Sequence, residues 1–300
     1  MRITSETMVM RSLDRLQTRL STYERTQSEL STGKRILQPS DDPSGSRRAM
    51  SLRSSMRARE QEVKNASDAT GWLHAADSNL QSALERLSRA RELATRAASQ
   101  AGEGERHALA AEIEQITEEI AGIANATHLD RPLFGGFSDG AAVTFDEGTG
   151  TWEARGAGDE VTRRLSDTEK VRVNTTAAEW LGFDADGTGG DDLLTFLGGL
   201  ADTVRAGPAS AVGDKLGDLQ VATDNVAAKL AEIGTATNRV DAAKARAEDL
   251  LLTLRTELSD VEDVDIAEGV MELQVQEVAY EATLAAIGRS LPPSLVGFLR

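Results

Sequence analysis

Three places in this 300-residue chain hold residue types that could do chemistry. Gly136-Phe137-Ser138-Asp139-Gly140 spells G-x-S-x-G, the nucleophile elbow in which a tight strand-to-helix turn presents a serine for acyl transfer. That chemistry needs a helix after the serine and an acid and a histidine downstream. His74, His107 and His128 all precede Ser138, and no helical pattern follows it, so the segment reads as a glycine-rich turn. Asp184-Ala185-Asp186-Gly187 starts like a calcium loop, yet the twelfth position, which should supply a bidentate carboxylate, is Thr195. A solvated loop capping the next helix is expected instead. The histidines lie on separate elements without zinc-ligand spacing. With no cysteine, disulfides, thiol nucleophiles and thiolate ligands are excluded. The expectation is a non-enzyme with no catalytic residue, no metal ligand and no cofactor.

Charge narrows the partners. The formal net charge is -16, which speaks against nucleic acid because little would neutralise phosphates. No stretch reaches the roughly 20 apolar residues that span a bilayer, so no membrane partner is expected. Met8-Val9-Met10 is too short for a leader core, so export would use a route that reads no cleavable leader. Residues 1–60 hold twelve Lys/Arg against seven Asp/Glu, and residues 248–300 hold three against eleven. Opposite signs at the two ends favour pairing of the terminal helices, within one subunit or between subunits.

The elements behind these residues are helical heptads. Val9, Leu13, Leu16, Leu20, Tyr23, Gln27 and Leu30 alternate steps of four and three, as do Ile266, Val270, Leu273, Glu277, Tyr280, Leu284, Ile287 and Leu291. Such steps put side chains in one narrow stripe, a coiled-coil seam. Ends normally fray because they have little to bury, so two apolar termini suggest an assembly subunit. Between them, Gly33 and Pro39 interrupt helix, and Asp42 before Pro43 is a capping carboxylate followed by a first-turn proline. A second heptad runs from Ala49 to Ala98, blemished by Arg59, Asp77 and Arg91. A third carries Leu109, Ile113, Ile116, Ile120 and Ile123. Another spans Leu216 to Leu258, about 65 Å of helix that needs partners along its length.

The middle differs. Seven of the eleven aromatics lie between Phe134 and Phe196, and sixteen of the 26 glycines between Gly135 and Gly217. Ala141–Phe145 and Thr151–Arg155 read as a β-hairpin, Lys170–Val173 as a strand and Leu193–Arg205 as a short helix. The expected class is mainly α: an elongated nested helical bundle or coiled coil from the N- and C-terminal segments, with a small mixed β-containing insert. Its expected parts are residues 1–43 plus 263–300 as a terminal coiled-coil polymer-core domain, 44–133 plus 212–262 as a helical bundle, and 134–211 as an outer insert.

This nesting, with the words it contains, resembles the flagellin family. Leu30 to Ile36, containing Gly33-Lys34-Arg35, followed by Pro39-Ser40-Asp41-Asp42-Pro43, is similar to the hook-associated branch rather than to flagellin proper. Met1-Arg2-Ile3-Thr4, Arg91-Glu92-Leu93-Ala94, Leu133-Phe134-Gly135-Gly136, Asp265-Ile266-Ala267-Glu268 and the closing run with Leu295, Phe298 and Leu299 add to the likeness. It covers roughly residues 1–136 and 215–300. The resemblance implies a secreted structural subunit of the bacterial flagellum, exported unfolded by the type III route and assembled outside the cell at the hook–filament junction. Its implied partners are copies of itself in a ring, flagellin, the other hook-associated junction protein, and an export chaperone bound near the C-terminus. Flagellin itself and a soluble coiled-coil adaptor are the alternatives.

Overall fold

The computed structural model describes residues 2–99, 102–184, 187 and 192–290. Long helices come first: α1 (Arg2–Thr32), α2 (Pro43–Ala98) and α3 (Glu103–Ala124). Six short strands follow: β1 (Thr127–His128), β2 (Arg131–Pro132), β3 (Val143–Asp146), β4 (Thr151–Ala154), β5 (Thr162–Arg164) and β6 (Lys170–Arg172). The chain returns to helix with α4 (Ala177–Leu181), α5 (Leu193–Ala206), α6 (Ala209–Glu262) and α7 (Ile266–Ser290). The fold is mainly α, with long helices packed together and three two-stranded antiparallel pairs. The chain divides into two units, Met1–Ala58 with Leu250–Arg300, and Arg59–Asp249. In chain order the second is inserted into the first.

The inserted unit owes its core to small residues as much as to large ones. In α2, Ala69, Ala76, Ala83, Ala90 and Ala97 recur every seven residues beside Leu73, Leu80, Leu87 and Ala94, all essentially fully buried. Small residues let a neighbouring helix approach closely, while each buried leucine contributes about 1.5–3 kcal/mol. The seam blemishes are satisfied: Arg59 donates to Glu62, 2.7 Å away, Asp77 accepts from Gln81, and Arg91 bonds Gln220. α3 buries Leu109, Ile113, Ile116 and Ile120, and packs on α5. α5 starts where a buried Asp192 carboxylate accepts the N–H groups of Leu194 and Thr195 at 3.0 Å each. That cap is the helix-starting role expected of the aspartate-rich loop; Ala185, Asp186 and residues 188–191 lie outside the described residues.

The expected hairpin is present as β3 and β4, with Val143 opposite Ala154 and Phe145 opposite Trp152, ring centres 5.2 Å apart. The strand at Lys170 is β6, paired with β5, a three-residue strand too short to show alternation. Another short pair is β1–β2, whose two-residue tip holds Leu129 at φ 50° and Asp130 at φ 59°. Both residues take left-handed backbone without being glycine, which hides the turn from a search for Asn-Gly or Asp-Gly. Phe134 and Trp180 pack at 5.6 Å in the core.

The flanking unit is built on α1 against α7 and on the start of α2 with the end of α6. Ala49, Leu52 and Leu251 are buried there, far fewer large apolar groups than the inserted unit holds.

Candidate functional site

The residues with chemical potential are not assembled for chemistry. The Ser138 hydroxyl donates to the Gly135 carbonyl, and the Phe137 N–H to Asp159 at 2.9 Å, locking a turn in which Gly136 has φ 62°. The next element is β3, not a helix. His128 packs edge-on against Trp72 at 5.4 Å, while His74 and His107 are exposed on α2 and α3. Among the described residues no group of three or more His, Asp or Glu is placed to hold a metal ion.

The candidate site is therefore a surface, the α1–α7 pair and the two turns at its base. Gly33 ends α1 at φ 69°, a left-handed conformation that glycine adopts freely. The chain then runs alongside the break between α6 and α7. The Arg35 N–H donates to the Glu262 carbonyl at 2.7 Å, and the Val264 N–H to the Gly33 carbonyl at 3.1 Å. The Lys34 ammonium lies 2.8 Å from Asp263 and 3.4 Å from Glu262, whose carboxylate also takes Arg53 at 2.7 Å. Arg35 donates to the Val261 carbonyl at 2.8 Å. Thus Gly33, Lys34 and Arg35 clasp the α6–α7 turn. The hydrogen bond from Lys34 holds Asp263 below the usual carboxylate range, helped by the Ser259 hydroxyl, and the same bond raises Lys34.

The rest of the motif shapes the approach to α2. Asp41 Oδ2 accepts the N–H groups of Leu37 and Gln38. Asp42 Oδ1 accepts those of Ser44 and Gly45 at 3.1 and 2.9 Å, capping the helix that Pro43 begins. The Gly45 N–H and the Ser44 hydroxyl keep Asp42 below its ordinary value. Pro39 is exposed. A Cβ on Gly45 would sit 2.4 Å from Asp42 Oδ2 and 2.7 Å from Ile36 Cδ1, so the turn closes tightly on this glycine.

Above the clasp, the end of α1 meets the start of α7: a Cβ on Gly269 would lie 2.8 Å from Leu30. The two helices therefore run antiparallel. Thr26 and Gly269 are buried between them, and Leu16, Tyr23, Leu30, Leu273 and Tyr280 are half-buried. Leu13, Leu20, Val270 and Leu284 are exposed, and so is Ile266. The structure thus splits each expected stripe. In α1 the positions at 16, 23 and 30 face the partner helix while 13 and 20 stay bare; in α7, 273 and 280 pack while 270 and 284 do not. Nothing is described for the side chains of Val9 and Ile287, and Leu291, Leu295, Phe298 and Leu299 lie outside the described residues.

Charge pairing between the two ends also differs from expectation in its location. It joins the α1–α2 turn and the start of α2 to the end of α6, through Lys34, Arg48 and Arg53 with Glu257, Glu262 and Asp263. Among the described residues no ion pair links α1 to α7. Thr26, Gly269 and Glu262 escaped the sequence reading because it searched for large apolar groups, whereas close helix approach selects small ones. A second row on α7, Met271, Val275 and Val278, also escaped it, although its steps of four and three were open to inspection.

The two ends of the chain come together as a helix pair, and a second unit is inserted between them in chain order. Residues 3–134 match the family model of the bacterial flagellin N-terminal helical region. It is 23% identical to flagellar hook-associated protein 3 of Salmonella typhimurium over 94% of this chain and 95% of that one. It is 24% identical to flagellin of Bacillus subtilis over the full length of both. Its fold is shared with the flagellar junction protein FlgL of Legionella pneumophila, at a TM-score of 0.60 and 12% identity, over 72% of this chain and 99% of that one. Both hook-associated protein 3 and flagellin thus stand among the chain's relatives.

Proposed function

We propose that this chain is a structural subunit joining the hook side of the bacterial flagellum to the flagellin filament. The observation that carries this is the half-used seam: each terminal helix packs one heptad position against the other and leaves the second open. A soluble adaptor would cover such surface within its own molecule, whereas a polymer subunit keeps it for its neighbours. The related proteins are structural flagellar components, and we infer that this one, too, does no catalysis.

In this reading the terminal residues 1–43 and 263–300 form the core of the assembly. Residues 44–133 with 212–262 make the lateral helical contacts, and 134–211 serve as the outer insert. The interface residues are the open positions Leu13, Leu20, Ile266, Val270 and Leu284, together with their companions Val9, Ile287 and Leu291. The partners are further copies of the chain, flagellin on one side, the other hook-associated junction protein on the opposite side, and an export chaperone near the C-terminus. The location is extracellular, at the hook–filament junction. The clasp at Gly33–Arg35 sets where the polymer core begins.

The test is complementation of cells lacking this gene. Full-length chain should restore filaments held firmly on hooks, while a chain lacking residues 1–30 should keep a folded inserted unit yet restore none. Filaments that stay attached without the chain, or with the truncated one, would remove the proposal.

A further inference from the structure

The break between α6 and α7 contains no helix breaker of its own. From Ser259 to Glu268 there is neither glycine nor proline. The other breaks between long helices do have them: Gly33 and Pro39 between α1 and α2, Gly102 between α2 and α3, and Gly207 with Pro208 between α5 and α6. Val264 and Asp265 are only modestly poor helix formers. Asp265 Oδ1 accepts the N–H groups of Ala267 and Glu268, which starts α7 once α6 has stopped but does not stop α6.

What stops α6 is the turn after α1. The Asp263 N–H still makes the helical bond to the Ser259 carbonyl, at 2.8 Å. One residue on, the Val264 N–H, which a continuing helix would send to Asp260, goes to the Gly33 carbonyl at 3.1 Å. The Val261 carbonyl, due to receive Asp265, takes the Arg35 guanidinium at 2.8 Å. The Glu262 carbonyl, due to receive Ile266, takes the Arg35 N–H at 2.7 Å. The N–H groups of Asp265 and Ile266 have no backbone partner among the described residues. Three consecutive helical bonds are thus displaced by a segment lying 226 residues earlier.

Charge acts in the same direction. The last turn of α6 has no basic residue, although the helix dipole is negative there, and it carries Asp260 and Glu262 with Asp263 just beyond. The cations come from elsewhere in the chain: Lys34 lies 2.8 Å from Asp263, and Arg53 lies 2.7 Å from the buried Glu262. Without them these carboxylates stand at the unfavourable end of a helix, and extending the helix past Asp265 carries that end away from them.

We propose that the Gly33–Arg35 turn is a strap that splits one long helix into α6 and α7. With the strap closed, the helix stops at Glu262 and α7 packs on α1. With it open, residues 259–269 are helical throughout and α6 runs on into α7. The form of the C-terminal helix therefore depends on whether the N-terminal turn has arrived. The device belongs to a single chain and stands apart from the junction reading.

Amide hydrogen exchange of the full chain, resolved residue by residue, tests it. In the unsubstituted chain the Asp265 and Ile266 amides should exchange fast. In a variant carrying both Lys34→Ala and Arg35→Ala they should slow by at least about tenfold, because the Val261 and Glu262 carbonyls become free to accept them. A flanking unit that merely loosened would leave them fast. Ile266→Pro supplies a second arm, since proline suits the first position of α7 but cannot join a helix running on from α6. Added to the double variant, it should return Asp265 to fast exchange. Fast Asp265 and Ile266 amides in the double variant, slow ones in the unsubstituted chain, or slowing that survives Ile266→Pro would each overturn the proposal.

Discussion

At the scale of single residues, the flanking unit depends on glycines and carboxylates more than on large apolar groups. Gly269 is buried in the first turn of α7, where its N–H donates to the Asp265 carbonyl. Its value is space. A Cβ there would lie 2.8 Å from Leu30 Cδ2 and 3.3 Å from its Cγ, with Val264 at an ordinary 3.6 Å, so Gly269→Ala should be accommodated by a rotation of the Leu30 side chain. Gly269→Val adds bulk that α1 cannot clear and should separate the helices. Both tyrosines, Tyr23 and Tyr280, lie in this unit and all three tryptophans, Trp72, Trp152 and Trp180, in the inserted one. Near-ultraviolet tyrosine dichroism should therefore collapse in Gly269→Val, with tryptophan fluorescence unchanged; a simultaneous loss of both would contradict the assignment. The sequence pattern found large residues at the right spacing. It could not reveal which of two neighbouring stripes a helix would choose, because that choice rests on Thr26 and Gly269, small residues that carry no hydropathy signal.

The clasp gives this unit a pH window. Asp263 and Asp42 are held below the ordinary aspartate value by hydrogen bonds to their charged forms. Their contribution is complete above about pH 4 and disappears as the pH falls through the lowered values. Lys34 is raised by Asp263, so its share is complete below the ordinary lysine value near ~10.4 and is lost as the pH rises through the raised one. The tyrosine signal should then hold between these limits and decline on the acid side. In Asp263→Asn the acid decline should be shallower and the starting stability lower; an unaltered acid profile would show that the clasp contributes nothing.

At the scale of elements, most of the helices were legible. The Asp42-Pro43 start, the hairpin at Val143–Ala154 and the helix at Leu193 all follow from caps, alternation and periodicity. The short pairs β1–β2 and β5–β6 were not, since two- and three-residue strands carry too little alternation to stand out. The alanine heptad of α2, Ala69 to Ala97, carries little hydropathy signal, so Leu73, Leu80 and Leu87 are the more legible half of the seam. The weight of the core nonetheless rests on both. Leu87→Ala, at a position with no exposure, should lower the stability of the inserted unit by about 2–5 kcal/mol through lost burial and a residual cavity. Urea titration followed by tryptophan fluorescence should show a lower midpoint at an unchanged slope. A shift no larger than surface substitutions give would mean that α2 is not the organising element.

At the scale of the whole molecule, the chain contrasts a well-buried inserted unit with terminal helices that leave apolar rows open. Burial drives folding, so surface withheld from the subunit's own core is surface available to neighbours. The family was legible from the Gly33–Pro43 words because they do physical work: a left-handed helix end, a lysine and an arginine aimed at the α6–α7 turn, and a capped helix start. The final ten residues carry the same family likeness but lie outside the described structure. The separation of junction subunit from filament subunit turns on where the assembled chain resides. Immunogold labelling of flagella detached with their hooks measures this directly. The account predicts gold confined to a narrow band between hook and filament; labelling spread along the filament would contradict it.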